Sequence, residues 1–295
     1  MDSSDKYSFL EFLLFPPTRL NESRLKESLR GKTVLITGAS FGIGECLAHK
    51  LAECGAHLIL VARTVEKLEQ IKIEIQTKGG KVSVYPTDLT QPESVQGLLT
   101  ELRQMPGGVD IVVSNAGRSI RRPIMESLDR YHDFTRTMAI NYFGPVQLLL
   151  ALIPILEKTQ GQIINVSAVN VLLVPAPFWA AYQASKTAFD QWFRCVAPEI
   201  NALGVRTSSI YLPLVRTRMI APTAEYKNMP AMAPPHAAQK ICQSIYTGKR
   251  FYAPWWLIFG QLSSVIFRRP WESLMPYFLK KKTAPPDENN QPVIK

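Results

Sequence analysis

Cysteine is scarce. There are four in 295 residues, namely Cys46, Cys54, Cys195 and Cys242. None forms a C-x-x-C pair and no Cys/His cluster has zinc spacing, which excludes a disulfide scaffold and a structural zinc site. They read as reduced thiols in a cytoplasmic setting. The histidines (His49, His57, His132 and His236) are scattered, so no metal is expected. No run of 18 apolar residues occurs, which argues against a membrane span. The apolar run from Tyr7 to Pro17 is broken by Glu11. It follows Asp2 and Asp5 rather than a basic segment and is not read as a signal peptide. Acids are the minority, 24 against 34 lysines and arginines, for a net charge of +10. More than half of that excess lies between Thr247 and Lys282, where Glu272 is the single acid. A charge so localised argues against a nucleic-acid binder.

What is abundant is apolar. Hydrophobic residues make up 46% of the chain, which excludes general disorder. From Thr33 onward, short β-rich runs alternate with helical ones. Strands are expected at 33–37, 57–62, 81–85, 109–113, 162–167 and 205–211. Helices are expected at 42–55, 65–78, 92–104, 131–157 and 180–202, with Pro145 and Pro154 as kinks or ends. Near-continuous apolar strands separated by helices predict an α/β fold, a doubly wound parallel sheet with helices on both faces. The organisation expected is an N-terminal extension (1–30), one α/β domain (31–247), an aromatic and basic extension (248–282) and a polar tail (283–295).

The sharpest local feature is Thr37-Gly38-Ala39-Ser40-Phe41-Gly42-Ile43-Gly44, between an expected strand and an expected helix. Glycines there permit a tight turn, a close backbone approach to a pyrophosphate and close packing of helix on strand. The helix N-terminus offers N–H groups to the anion. The next strand ends at Arg63, and no Asp or Glu lies between Gly55 and Val65. An acid there would accept from a ribose 2′-hydroxyl, whereas an arginine suits a 2′-phosphate. NADP(H) is therefore the expected cofactor. Further along, Tyr182 and Lys186 stand four apart on an expected helix and share a face. An ammonium nearby would lower the phenol's pKa, and a phenol so tuned can protonate a carbonyl as hydride arrives.

With these motifs in order, the chain resembles the short-chain dehydrogenase/reductases from about Gly31 to Thr247. The resemblance rests on the glycine turn, Asp88 in TDLT, Asn115-Ala116-Gly117, Asn141 in INYFG, and Tyr182-Gln183-Ala184-Ser185-Lys186. It implies a Rossmann-type domain. Catalytic roles would fall to Tyr182, Lys186, Asn141 (holding a water in a proton relay) and a serine. The cofactor would touch Thr37, Gly38, Ser40, Phe41, Gly42, Ile43, Gly44, Arg63, Asp88, Leu89, Asn115, Ala116, Gly117, Tyr182, Lys186, Pro213, Val215 and Thr217. The family's habit also implies a homodimer or homotetramer.

Two departures stand out. The family's serine lies thirteen residues before the tyrosine, where this chain has Val169, and alignment along the strand puts Ala168 in its place. Either an inserted residue carries Ser167 into position or the serine is missing, at a cost on the order of 10²–10³ in rate. The second departure is Pro213-Leu214 where Pro-Gly is common. Segments 115–122 and 211–223 are similar to those of the long-chain acyl-CoA reductases of this family, which implies an acyl-CoA substrate and a fatty aldehyde product. Arg118, Arg121, Arg122, Arg216 and Arg218 are then candidates for its phosphates. A ketone/alcohol oxidoreductase acting on a sterol, retinoid or 3-keto lipid is the alternative, and a cofactor-binding scaffold a further one. The aromatic and basic residues of 251–282 suit a membrane surface, a substrate lid or a dimer interface.

Overall fold

The computed structural model describes residues 7–283; most of the expected polar tail lies outside the described residues. Two short helices, α1 (Phe9–Leu14) and α2 (Glu22–Leu29), precede the alternating α/β region. There follow β1 (Thr33–Thr37), α3 (Gly42–Ala52), β2 (His57–Ala62), α4 (Val65–Thr77), β3 (Lys81–Pro86), α5 (Pro92–Gln104) and β4 (Ile111–Ser114). The second half holds α6 (Tyr131–Met138), a π-helical turn (Ala139–Phe143), α7 (Gly144–Thr159), β5 (Gln162–Ala168), α8 (Ala180–Ala202), β6 (Arg206–Leu212), α9 (Pro234–Thr247) and β7 (Phe251–Tyr252). Two helices close the described chain, α10 (Leu257–Ile266) and α11 (Arg268–Thr283).

All seven strands pair in parallel, in the order β3-β2-β1-β4-β5-β6-β7. The expected fold class is what the chain adopts. β1 has four of five residues buried and β4 all four, as strands covered on both faces must. Leu35, Val112 and Ile163 from the sheet pack with Leu98 and Leu102 of α5, Leu148, Leu152 and Leu156 of α7, and Phe189 and Phe193 of α8. The strand order reverses between β1 and β4. The crevice beyond their C-terminal ends is where an open α/β sheet receives its ligand.

Pro145 sits in the first turn of α7, directly after the π-helical turn that breaks the regular helix, whereas Pro154 lies inside a helix that runs on to Thr159. Tyr131–Thr159 is, among the described residues, the one helix long and apolar enough to cross a membrane. Its buried leucines mark it as the core helix of the sheet.

The chain divides into two compact units, one ending at Trp255 and the other beginning at Trp256. The first takes in the N-terminal extension. Leu25 and Leu29 of α2 are fully buried, and α2 packs on α9. The Ala233 N–H donates to Tyr7 Oη (2.9 Å). Tyr7 then donates to His236 Nδ1 (2.8 Å), which leaves the Nε2–H for Thr18 Oγ1 (2.9 Å). Burial, with a smaller contribution from the Lys240 charge, pushes the His236 pKa down to about 4.

A neutral imidazole joins the N-terminal segment to α9, so stability should depend on pH in a defined direction. The unfolded chain takes up a proton near pH 6.5 and the folded chain only near 4. Stability is therefore complete above pH 6.5 and falls between 6.5 and 4, by on the order of 3 kcal/mol. His236→Ala should remove that slope in urea unfolding measured across the window. It should also expose residues near Thr18 to protease.

Candidate active site

The site is built outward from the end of β1. Gly38 turns the chain at φ +66°, and its N–H donates to Val61 O at 2.8 Å. A Cβ on Gly44 would strike the Gly38 carbonyl, so only glycine lets α3 start this close to the strand. Phe41, the residue that opens α3, makes no capping hydrogen bond with its side chain. The first-turn N–H groups of α3 are thus not met by a cap, and they suit the phosphates of a dinucleotide. Ser40, Ile43 and Gly42 complete the turn, with Thr217 so placed that a Cβ on Gly42 would come within 2.9 Å of its Cγ2. Arg218 lies over the Phe41 ring, 4.3 Å from its centroid.

The end of β4 is locked to this turn. Thr37 Oγ1 accepts from the N–H groups of Asn115 and Ala116, both at 3.0 Å. The Asn115 amide donates to Thr37 O at 3.0 Å. A Cβ on Gly117 would come within 3.2 Å of Lys186 Nζ, which shows how closely the strand-end loop approaches α8. Asn141, in the π-helical turn, accepts from Arg118 N (2.9 Å) and donates to Arg118 O and Ser185 Oγ (both 2.9 Å). Ser185 in turn donates to Tyr182 O. Asn141 thereby ties β4's loop to the helix bearing Tyr182. Asp88 accepts from Thr90 N and Oγ1 (2.9 and 2.8 Å), closing the loop after β3. Leu89 is buried there, its carbonyl against Gly144.

Tyr182 and Lys186 stand on one face of α8. Lys186 is buried, donates to Val166 O at 3.4 Å, and has its pKa pulled down to about 8 by burial against the opposing pull of Asp190. Tyr182 does not follow the expectation of an acidified phenol: burial pushes its pKa up to about 12. The reason is desolvation, which penalises the charged phenolate. Burial raises the Asp190 carboxyl's pKa, and the hydroxyls of Tyr211 and the buried Ser167 oppose that rise. Tyr211 Oη donates to that carboxyl at 3.2 Å. The hydroxyl expected near the substrate is thus engaged by Asp190. Ala168, one residue on, carries no polar group.

Residues outside the motifs shape the surroundings. Trp179 meets Tyr182 edge to face (6.0 Å between centroids) and stacks on Tyr226 (5.3 Å). Burial, with a smaller contribution from the neighbouring Tyr182, pushes the Tyr226 phenol above its usual range. Phe178 holds φ +73°, a strained conformation for a bulky side chain. It lines a shallow, solvent-open cleft with Ile120, Ile124 and Phe134, and with the Arg122–Asp133 pair. Sequence reading missed Trp179 and Tyr226, and an aromatic next to the tyrosine helix was the one signal available. Among the five arginine candidates, Arg121 pairs with Glu225 (2.7 Å), Arg122 with Asp133 (3.2 Å) and Arg216 with Glu11 (3.0 Å). Burial, and the like charges of Arg136 and Arg63, pull the Arg118 pKa below its usual value. Arg63 itself is exposed. After β6, Pro213-Leu214-Val215 is pinned to a second segment, Met232 N donating to Leu214 O at 2.8 Å. Ala231 N donates to Glu11 Oε1 at 3.1 Å.

A parallel sheet, a glycine turn at its reversal point and a half-buried tyrosine beside a buried lysine define an oxidoreductase that works with a dinucleotide. The chain belongs to the short-chain dehydrogenase family, whose model matches residues 32–228. A fatty acyl-CoA reductase of Acinetobacter baylyi is 47% identical over 225 residues, 76% of each chain. A fatty acyl-CoA reductase of Mycobacterium tuberculosis is 41% identical over 77% of each. Two solved structures share 29% identity at TM-score 0.64. One is a metagenomic short-chain oxidoreductase in complex with NADP, covering 75% of this chain and 92% of its own. The other is an alcohol dehydrogenase of Thermococcus sibiricus with 5-hydroxy-NADP, covering 72% and 89%.

Gly44→Ala should drive α3 off the Gly38 carbonyl and spoil the phosphate cradle. NADPH should stabilise the parent against heat and leave the variant unshifted. An unchanged ligand-induced Tm shift would show that the turn does not hold the cofactor.

Proposed function

We propose that this chain is an NADP(H)-dependent reductase that converts a long-chain acyl-CoA to a fatty aldehyde. The observation that carries the reading is geometric: Tyr182 stands one helical turn from the buried Lys186 on α8, and the loop after β4 closes on that lysine at Gly117. A phenol with a pKa near 12 keeps its proton at neutral pH and acts as a donor. The acyl-CoA specificity is supported by the names of the two relatives.

The chain's residues fit the cofactor. The uncapped first turn of α3 suits the pyrophosphate, and Arg63 the 2′-phosphate, with Arg118 adding positive charge on that edge. Asp88, Leu89, Asn115-Ala116-Gly117, Pro213, Val215 and Thr217 would line the remainder. When bound, the nicotinamide supplies a hydride, two electrons, to the thioester carbon. Tyr182 donates a hydrogen bond to the carbonyl oxygen as that carbon becomes tetrahedral, and Lys186 keeps a positive charge beside it. The C–S bond then breaks, and the sulfur leaves as thiolate and takes a proton to become free thiol. Asn141 acts as a positioning residue through Ser185 and the Arg118 backbone. Ser167 and Tyr211 favour the charged form of Asp190 against the burial that raises its pKa, and Asp190 in turn favours the charged form of Lys186.

Purified protein with NADPH should consume the cofactor when given palmitoyl-CoA and release aldehyde and free thiol. Turnover only on hydrophobic ketones would favour the ketone reductase instead. NADPH binding with no turnover on either would favour a scaffold. Tyr182→Phe should lower kcat by on the order of 10²–10⁴ with NADPH affinity nearly unchanged. The pH profile carries a separate sign. Lys186 loses its proton near pH 8, so kcat/KM should be flat below that value and fall above it. The high phenol pKa predicts no second decline before pH 11.

A further inference from the structure

We propose that the C-terminal unit docks the protein on the surface of an anionic lipid bilayer. α10 contains no charged residue, and Ile258, Phe259, Leu262 and Val265 on it are exposed, Val265 at 78%. α11, packed on α10, exposes Trp271 and Phe278 as well. Two helices this short cannot bury so many large apolar side chains between themselves, and a patch of this kind in a water-facing protein marks an interaction surface.

Charge identifies the occupant. α11 begins with Arg268 and Arg269 and reaches Lys280, Lys281 and Lys282 near its end, against one acid, Glu272. That acid lies 3.1 Å from Arg268 Nε. Apolar and aromatic residues flanked by cations match the boundary between acyl chains and anionic headgroups, with the lysine and arginine stems extending toward the phosphates. A span is excluded for α10 by length, since ten residues make a helix of about 15 Å. The N-terminal unit carries a surface of the same kind. α1 exposes Phe9 (87%), Leu10, Phe12 and Leu13, and the Trp255 indole donates to Leu13 O at 3.0 Å.

The test uses the full-length protein and sedimentation with vesicles of phosphatidylcholine alone or mixed with phosphatidylglycerol. Binding to the mixed vesicles, weakened by salt and absent on the neutral ones, is the result expected. Arg269→Glu with Lys280→Glu should weaken it by more than about tenfold. Phe259→Glu with Leu262→Glu should abolish it, and both variants should keep the parent's NADPH-induced Tm shift. No sedimentation, or equal binding to neutral vesicles, overturns the proposal. So does a parent that stays off vesicles and is a larger oligomer by light scattering than the Phe259/Leu262 variant, because the occupant is then a second copy of this chain.

Discussion

Burying the Lys186 ammonium is the constraint around which the site is arranged. A charge taken out of water costs several kcal/mol unless partners replace its hydration. Here the replacements come from three directions: the Val166 carbonyl at the end of β5, the field of Asp190 one turn further along α8, and an approach from β4's loop made possible by a glycine at 117. Asp190 is itself buried and is kept useful by Tyr211 on β6 and Ser167 on β5. A lysine on one helix thus needs three adjacent strands in register. The parallel sheet sets that register, which is why the fold and the chemistry are hard to separate in this molecule.

The same logic extends outward. Asn141 satisfies its amide on the Arg118 backbone and on Ser185, and it does so from a π-helical turn that joins α6 to α7. Wider turns of this sort recur where a helix must present a group off its normal face. Beyond β6, the chain is held by the Met232 pairing and by Glu11, a carboxyl from the N-terminal helix that meets both Arg216 and Ala231. The loop after β6 therefore has a support drawn from the opposite end of the sequence.

Much of this was legible in the residues. Six strands announced themselves as apolar runs, and the Gly-rich turn and the Tyr–Lys spacing carried their geometry in their own sequence. The seventh strand did not, because two residues at a sheet edge leave no period to read. Ser167 was ambiguous because a one-residue change in position swaps the face of a strand, and only the packed structure shows which neighbour its hydroxyl meets. The arginines show a similar limit. Sequence displays a charge but not its partner, and Arg122 and Arg216 turn out to be matched with Asp133 and Glu11 inside the protein. Tyr182's acidity was misjudged for a related reason: the ammonium was visible in the sequence, the depth of burial was not.

The attachment of the N-terminal segment has a consequence for how the chain is made. Tyr7, Glu11 and Thr18 meet partners between Arg216 and His236, more than two hundred positions downstream. During synthesis those partners do not yet exist when the segment emerges, and its apolar helix must wait in solution while the sheet is assembled beside it. A segment made early in this chain is thus among the last to find its place, and the loop after β6 gains its final brace only then.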